Sequence, residues 1–173
     1  MSKIALFEAL PLKNTISRRI QELLQERDNV AYVEWEKDQQ GETDVPTKTV
    51  DQVTDELDTA RFDYRTLNTL VVEANLNAKV VWDEKELSIT EALELAQQLR
   101  GEANKLKIYG RSKKQERVNN YSDTPTYRKA NFDPEIMQKN ALKMERMANR
   151  LSNAIEKANH NHEIEFAAAD KYL

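Results

Sequence analysis

The chain has 173 residues, a formal net charge of −4, 32% charged residues, three glycines and no cysteine, with a mean hydropathy of −0.80. That length fits one domain, 1–173, with a real core, and scarce glycine beside abundant helix formers sets an all-α prior. Missing cysteine excludes thiol catalysis, cysteine metal sites and a disulfide framework. With no signal peptide and no apolar run near the ~18–20 residues of a membrane span, the sequence reads as a soluble cytoplasmic protein with no membrane partner.

The opening segment "KIALFEALPLKNTISRRIQELLQERDN" places Leu6, Leu10, Ile16, Ile20, Leu23 and Leu24 near one helical face. Pro11 interrupts it, so a helix is expected to start at Pro11 or kink there. The alternation in "VAYVEWEKD" predicts a short extended piece near 30–38, and Gly41 and Pro46 mark a loop after it.

A second helix is expected to begin near Thr49 or Asp51. Val50, Val53, Leu57, Ala60, Tyr64, Leu67, Val71 and Ala74 follow helical spacing over about seven turns. Asn75 and Asn77 should end it, and "VVWDEKE" reads as an extended piece and turn near 79–86. The third helix has a capping box, Ser88-Ile-Thr-Glu91, and a stripe of Ile89, Ala92, Leu93, Ala96, Leu99, Ala103 and Leu106. Gly110 is placed as its left-handed C-terminal residue. Asp133 then caps a fourth helix with Pro134 at its first position. Ile136 or Met137, Ala141, Met144, Ala148, Leu151, Ile155 and Ala158 form its stripe. Unbroken to Ile164 the helix would have about 31 residues, with the tail after it either continuing as helix or fraying. The expectation is an antiparallel bundle of about four helices, two of them long. Such long helices leave apolar ends uncovered, which predicts a homo-oligomer.

Between the third and fourth helices lies "IYGRSKKQERVNNYSDTPTYRKANFDP", which breaks the helical pattern. From Lys105 to Asn131 eight Lys or Arg stand against Glu116 and Asp123, a local +6 in a chain whose remainder carries −10. An acidic whole disfavours nucleic acid as a partner, but a local cluster attracts a compact anion over roughly 8–10 Å. The candidate binding residues are Arg111, Lys113, Lys114, Arg117, Tyr121, Tyr127, Arg128 and Lys129. Arginine clamps phosphate with a planar fork, lysine acts as a mobile point charge, and tyrosine offers a ring on which a base stacks. The competing reading is a solvated loop whose tyrosines, Tyr109 among them, pack its stem.

Enzyme chemistry finds little purchase. His160 and His162 are two residues apart, about 200° around a helix, and cannot share a metal. There is no phosphate-binding glycine loop, no nucleophile elbow and no Glu-x-x-His helix motif. No catalytic residue, metal or cofactor is therefore expected.

Several segments resemble the septicolysin-like family of small all-helical bacterial and phage proteins. "LFEAL" with "ISRRIQELLQER" resembles that family's first helix. "VVEANLNAKV" with "LSITEALELAQQLRGEANKL" is similar to its connector and third helix, and "MQKNALKMERMANRLSNAIEKANHNHEIEF" to its last. Tyr121-Ser122 and Arg128-Lys129 match in kind the residues before that helix. His160 stands where the family tends to have Trp, and the basic connector is longer here. The resemblance implies an oligomeric helical fold. Together these features give the expectation of a non-catalytic oligomer that sequesters a small anionic nucleotide-like ligand. A phage sponge for an immune signalling nucleotide, acting in the host cytoplasm, has this profile. The alternative is a helical scaffold for protein interaction.

Overall fold

A computed structural model describes residues 2–33, 46–118 and 124–173. The order is β1 (Lys3–Ala5), α1 (Leu6–Val30), α2 (Val50–Asn77), β2 (Lys79–Trp82), β3 (Lys85–Ser88), α3 (Ile89–Gly110), β4 (Gln115–Val118), β5 (Thr126–Lys129), α4 (Pro134–Asn161) and β6 (Glu163–Glu165). A short 3-10 turn, Ala169–Lys171, follows. The protein is thus mostly helical, with four helices and three short antiparallel strand pairs among the described residues. No described helix is long and apolar enough to cross a membrane. The chain divides into two compact units. One contains residues up to Asn75 and Asn159–Leu173, and the other Leu76–Ala158.

In the first unit, Leu6 rather than Pro11 begins α1. The Leu6 N–H donates to the His162 carbonyl at 2.8 Å, and the Glu8 carboxylate accepts from the Ala5 N–H at 2.9 Å. Strand β1 anchors this start by pairing with β6, Ile4 opposite Ile164. Pro11 lies inside the helix. This early in the helix it forfeits one main-chain bond, which the anchored start outweighs. Unbroken, the fourth helix would reach Ile164; it ends instead at Asn161, and Glu163–Glu165 is strand. The extended piece placed near 30–38 does not form over its described part. Val30 closes α1, Ala31–Val33 lie in no strand, and 34–38 and Gly41 fall outside the described residues.

Helix α2 starts at a capping box that reads Thr49-x-x-Gln52. The Thr49 N–H donates to the Gln52 side chain at 2.9 Å, and the Gln52 N–H to the Thr49 hydroxyl at 3.2 Å. Leu23, Val53, Leu57 and Ala60 pack together, with Ile20, Leu24 and Val30 against them. Polar ties join α1 to α2 at Lys13–Asn68 (2.6 Å) and Arg19–Glu56 (3.2 Å), in opposite chain order, so the two run antiparallel. Lys48 bridges Glu56 at 2.7 Å and Glu26 at 3.2 Å. The Glu56 hydrogen bond is the chief cause that raises the lysine's pKa, and the same bond lowers that of Glu56. Asp63, not Tyr64, is the buried residue at that level of α2. It accepts from the Tyr172 hydroxyl at 2.7 Å and from Lys171 Nζ at 3.1 Å, so its burial is compensated by charge-assisted bonds.

In the second unit, the stretch near 79–86 expected to hold an extended piece and a turn forms a two-stranded hairpin, β2 with β3, Trp82 opposite Lys85. Its two turn residues, Asp83 (φ 48°) and Glu84 (φ 63°), are both left-handed. That is the geometry of a tight primed turn, which asparagine and glycine adopt more readily. Ser88 then caps α3. Its hydroxyl accepts from the Glu91 N–H at 3.2 Å, and the Glu91 carboxylate accepts from the Ser88 N–H at 2.8 Å. At the other end Gly110 is not left-handed. It is small because a Cβ there would lie 2.7 Å from the Gln138 side-chain oxygen and 3.0 Å from the Gln138 main-chain nitrogen. Arg100 reaches Ser152 at 2.5 Å, and Lys107 pairs with Glu145, which sets α3 and α4 antiparallel. Asp133 caps α4, accepting from the Glu135 N–H at 2.8 Å, with Pro134 first in the helix.

Candidate functional site

The basic connector is not a loop throughout. Two four-residue strands of this stretch, Gln115–Val118 and Thr126–Lys129, pair antiparallel as the β4–β5 hairpin. Gln115 pairs with Lys129, Glu116 with Arg128, Arg117 with Tyr127 and Val118 with Thr126. The Ala130 N–H extends the ladder to the Lys114 carbonyl at 2.9 Å. Sequence reading missed the pairing because the two strands are four residues each and carry too few apolar residues to show a period-two alternation.

The register sorts the candidate residues. Directly opposed residues of an antiparallel pair share a face, and neighbours along a strand alternate. Gln115, Arg117, Tyr127 and Lys129 therefore lie on one face, and Glu116, Val118, Thr126 and Arg128 on the other. The first face holds two cations and a phenol ring with no carboxylate. On the second, Arg128 is neutralised, its Nε donating to the Glu116 carboxylate at 2.9 Å. All four residues of β5 are exposed, and Tyr127 is 60% exposed.

Arg111, Lys113 and Lys114 occupy the exposed link between α3 and β4. The Arg111 N–H ends α3 by donating to the Lys107 carbonyl at 3.1 Å. Tyr121 lies outside the described residues. Tyr109 belongs to the stem, its ring centroid 5.1 Å from that of Phe132 and Lys105 Nζ 5.4 Å above it. The hairpin thus brings Arg117, Tyr127 and Lys129 together and sets Arg128 apart. His160 packs against Phe7, with ring centroids 4.0 Å apart. No described group of three or more His, Asp or Glu could hold a metal ion.

A second cationic surface went unnoticed in the sequence. Lys139, Lys143, Arg146 and Arg150 recur at intervals of four, three and four along α4, one exposed helix face. With Trp82 and Asp83 of the β2–β3 hairpin they line a groove of about 790 Å³, whose apolar lining includes Leu142 and Met147. The Arg150 guanidinium lies 5.6 Å from the Trp82 ring centroid. Among the described residues none of the four cations forms an ion pair. The spacing was legible in the sequence. The aromatic wall was not, since it comes from a hairpin 57 residues before the first of these lysines.

No family model and no curated protein matches the chain. Among solved structures, the crystal structure of a functionally unknown conserved protein from Corynebacterium diphtheriae is similar. Its TM-score is 0.56 at 22% identity, over 95% of this chain and 100% of that one. At that identity the likeness concerns the fold alone.

Proposed function

We propose that the protein binds a small anionic, nucleotide-like ligand without changing it chemically, on the Arg117–Tyr127–Lys129 face of the β4–β5 hairpin. The observation that carries this reading is the strand register, which gathers two cations and an exposed ring on a face that, among the paired residues, holds no carboxylate. The cations attract phosphate and the ring receives a base. The resemblance to septicolysin-like proteins and the homo-oligomer are part of the same proposal, and so is sequestration of a signalling nucleotide in the cytoplasm.

Calorimetric titration with a cyclic dinucleotide, ADP-ribose and pyrophosphate tests the reading. The Arg117→Ala/Lys129→Ala variant should lose binding, while its thermal midpoint stays close to that of wild type, because exposed charges contribute little to stability. Arg128→Ala should bind more nearly as wild type, since Glu116 already holds that charge. Tyr127→Ala should weaken the ring-bearing ligands more than pyrophosphate. Bound nucleotide should be recovered intact after denaturation. Unchanged affinity in the double variant would overturn the hairpin as the site, and a cleaved product would overturn the non-catalytic reading.

A scaffold that grips another protein is the second reading. It is favoured by large apolar side chains left in solvent, among them Val81 (69% exposed), Phe62 (60%) and Leu10 (60%). Protein purified without any co-isolated nucleotide and unresponsive to all three ligands would favour it.

A further inference from the structure

We infer that the groove between Trp82 and α4 is a second binding site, independent of the hairpin, for an extended nucleoside polyphosphate. Three features carry the inference. The first is charge. Lys139, Lys143, Arg146 and Arg150 converge on the groove, and Asp83 is the one carboxylate residue lining it. Their charges are not spent on ion pairs among the described residues. Charged side chains on a solvated helix face commonly alternate in sign, and this stripe does not.

The second feature is length. Eleven residues separate Lys139 from Arg150, so the stripe runs about 16 Å along the helix. A lone phosphate would engage one end of it. A chain of phosphates would engage several cations in succession, lysines as mobile point charges and arginines through their forks. The groove's volume of about 790 Å³ falls within the range of small-molecule sites.

The third is the aromatic end. Trp82 and the Arg150 guanidinium face each other at 5.6 Å from ring centroid to charge. Both are planar groups on which a purine or pyrimidine ring stacks, and a base on the groove side of Trp82 would take the place now held by the Arg150 guanidinium. Trp82 is set in place by the tight primed turn at Asp83 and Glu84, which ends β2 directly after it. The ring of the ligand is therefore assigned to the Trp82 end and its phosphates to the Lys139–Lys143 end.

Tryptophan emission tests this directly. The chain has two tryptophans, Trp35 and Trp82, so Trp35→Phe leaves Trp82 as the sole reporter in the full chain. ATP should change that emission saturably. Inorganic tripolyphosphate should bind about tenfold more weakly by calorimetry, the share expected of one stacked ring, and adenosine should not bind at millimolar concentration. Lys143→Ala/Arg146→Ala should weaken ATP at least about tenfold. Trp82→Leu should bring ATP down to the affinity of tripolyphosphate and leave tripolyphosphate itself unchanged, and Trp82→Phe should restore part of the difference. Arg117→Ala/Lys129→Ala should leave the emission change intact, which separates this site from the hairpin. Three results would each overturn the inference: no emission change with millimolar ATP, an ATP-to-tripolyphosphate ratio indifferent to Trp82→Leu, or tighter binding of a single-stranded oligonucleotide than of ATP.

Discussion

Glu91 shows how one side chain couples local geometry to pH. Its carboxyl is held below the ordinary carboxylate range, first by the Ser88 main-chain N–H and then by the Ser88 hydroxyl. A depressed value in the folded state means that the unfolded chain takes the proton more readily. The stabilisation is therefore complete above the ordinary value of ~4.3 and is lost as pH falls through the folded value. Glu91→Gln should accordingly lower the thermal midpoint at neutral pH, and the gap to wild type should close as the pH is taken down to about 3. Ser88→Ala removes the hydroxyl that accepts from the Glu91 N–H, and should cost about 1 kcal/mol at neutral pH by denaturant unfolding. This pair was legible in the sequence because the motif is complete within four residues. Asp63 was not, since the groups that satisfy it, Lys171 and Tyr172, lie more than a hundred positions along the chain. Nor was the pairing of Arg128 with Glu116, which depends on a strand register that the intervening residues do not announce.

Helix α3 offers a controlled comparison at the level of an element, for it contains two glycines in different surroundings. At Gly101 nothing stands within 4 Å of an added Cβ. Gly101→Ala should stabilise by up to about 1 kcal/mol, the usual gain for a helix interior. At Gly110 the same methyl group meets the Gln138 side chain and main chain. Gly110→Ala should destabilise by about 1–3 kcal/mol, as overpacking does, despite the better helix propensity. Chemical unfolding of the two variants side by side checks both signs. The helices themselves were legible, since their stripes span several turns and α3 and α4 carry recognisable caps. Their exceptions were not. Pro11 is tolerated because β1 and β6 fix the start of α1, and Gly110 is small because α4 begins beside it. Both reasons are tertiary, so a reading confined to neighbours in sequence left open whether Pro11 starts or kinks the helix and misjudged the conformation of Gly110.

For the molecule as a whole, the proposed homo-oligomer has a direct expectation. Light scattering at micromolar concentration should return a multiple of the 20.1 kDa chain mass, and the chain mass itself would refute it. Exposed Phe62, Val72 and Leu76 on α2 are the side chains that assembly would cover. The mostly helical character was legible in composition, while the three strand pairs among the described residues, each only three or four residues a strand, were too short for periodicity to mark them all. The pairing of β1 with β6 also bears on when, during synthesis, the first unit can be completed. The second unit is one uninterrupted stretch, Leu76–Ala158, whereas the first needs Asn159–Leu173 to complete it. Ile4 is made 160 residues before its partner Ile164. Domains ordinarily acquire structure in the order of synthesis. Here the nascent α1 and α2 must wait, their sheet half built, while the later-made unit already has every residue it requires.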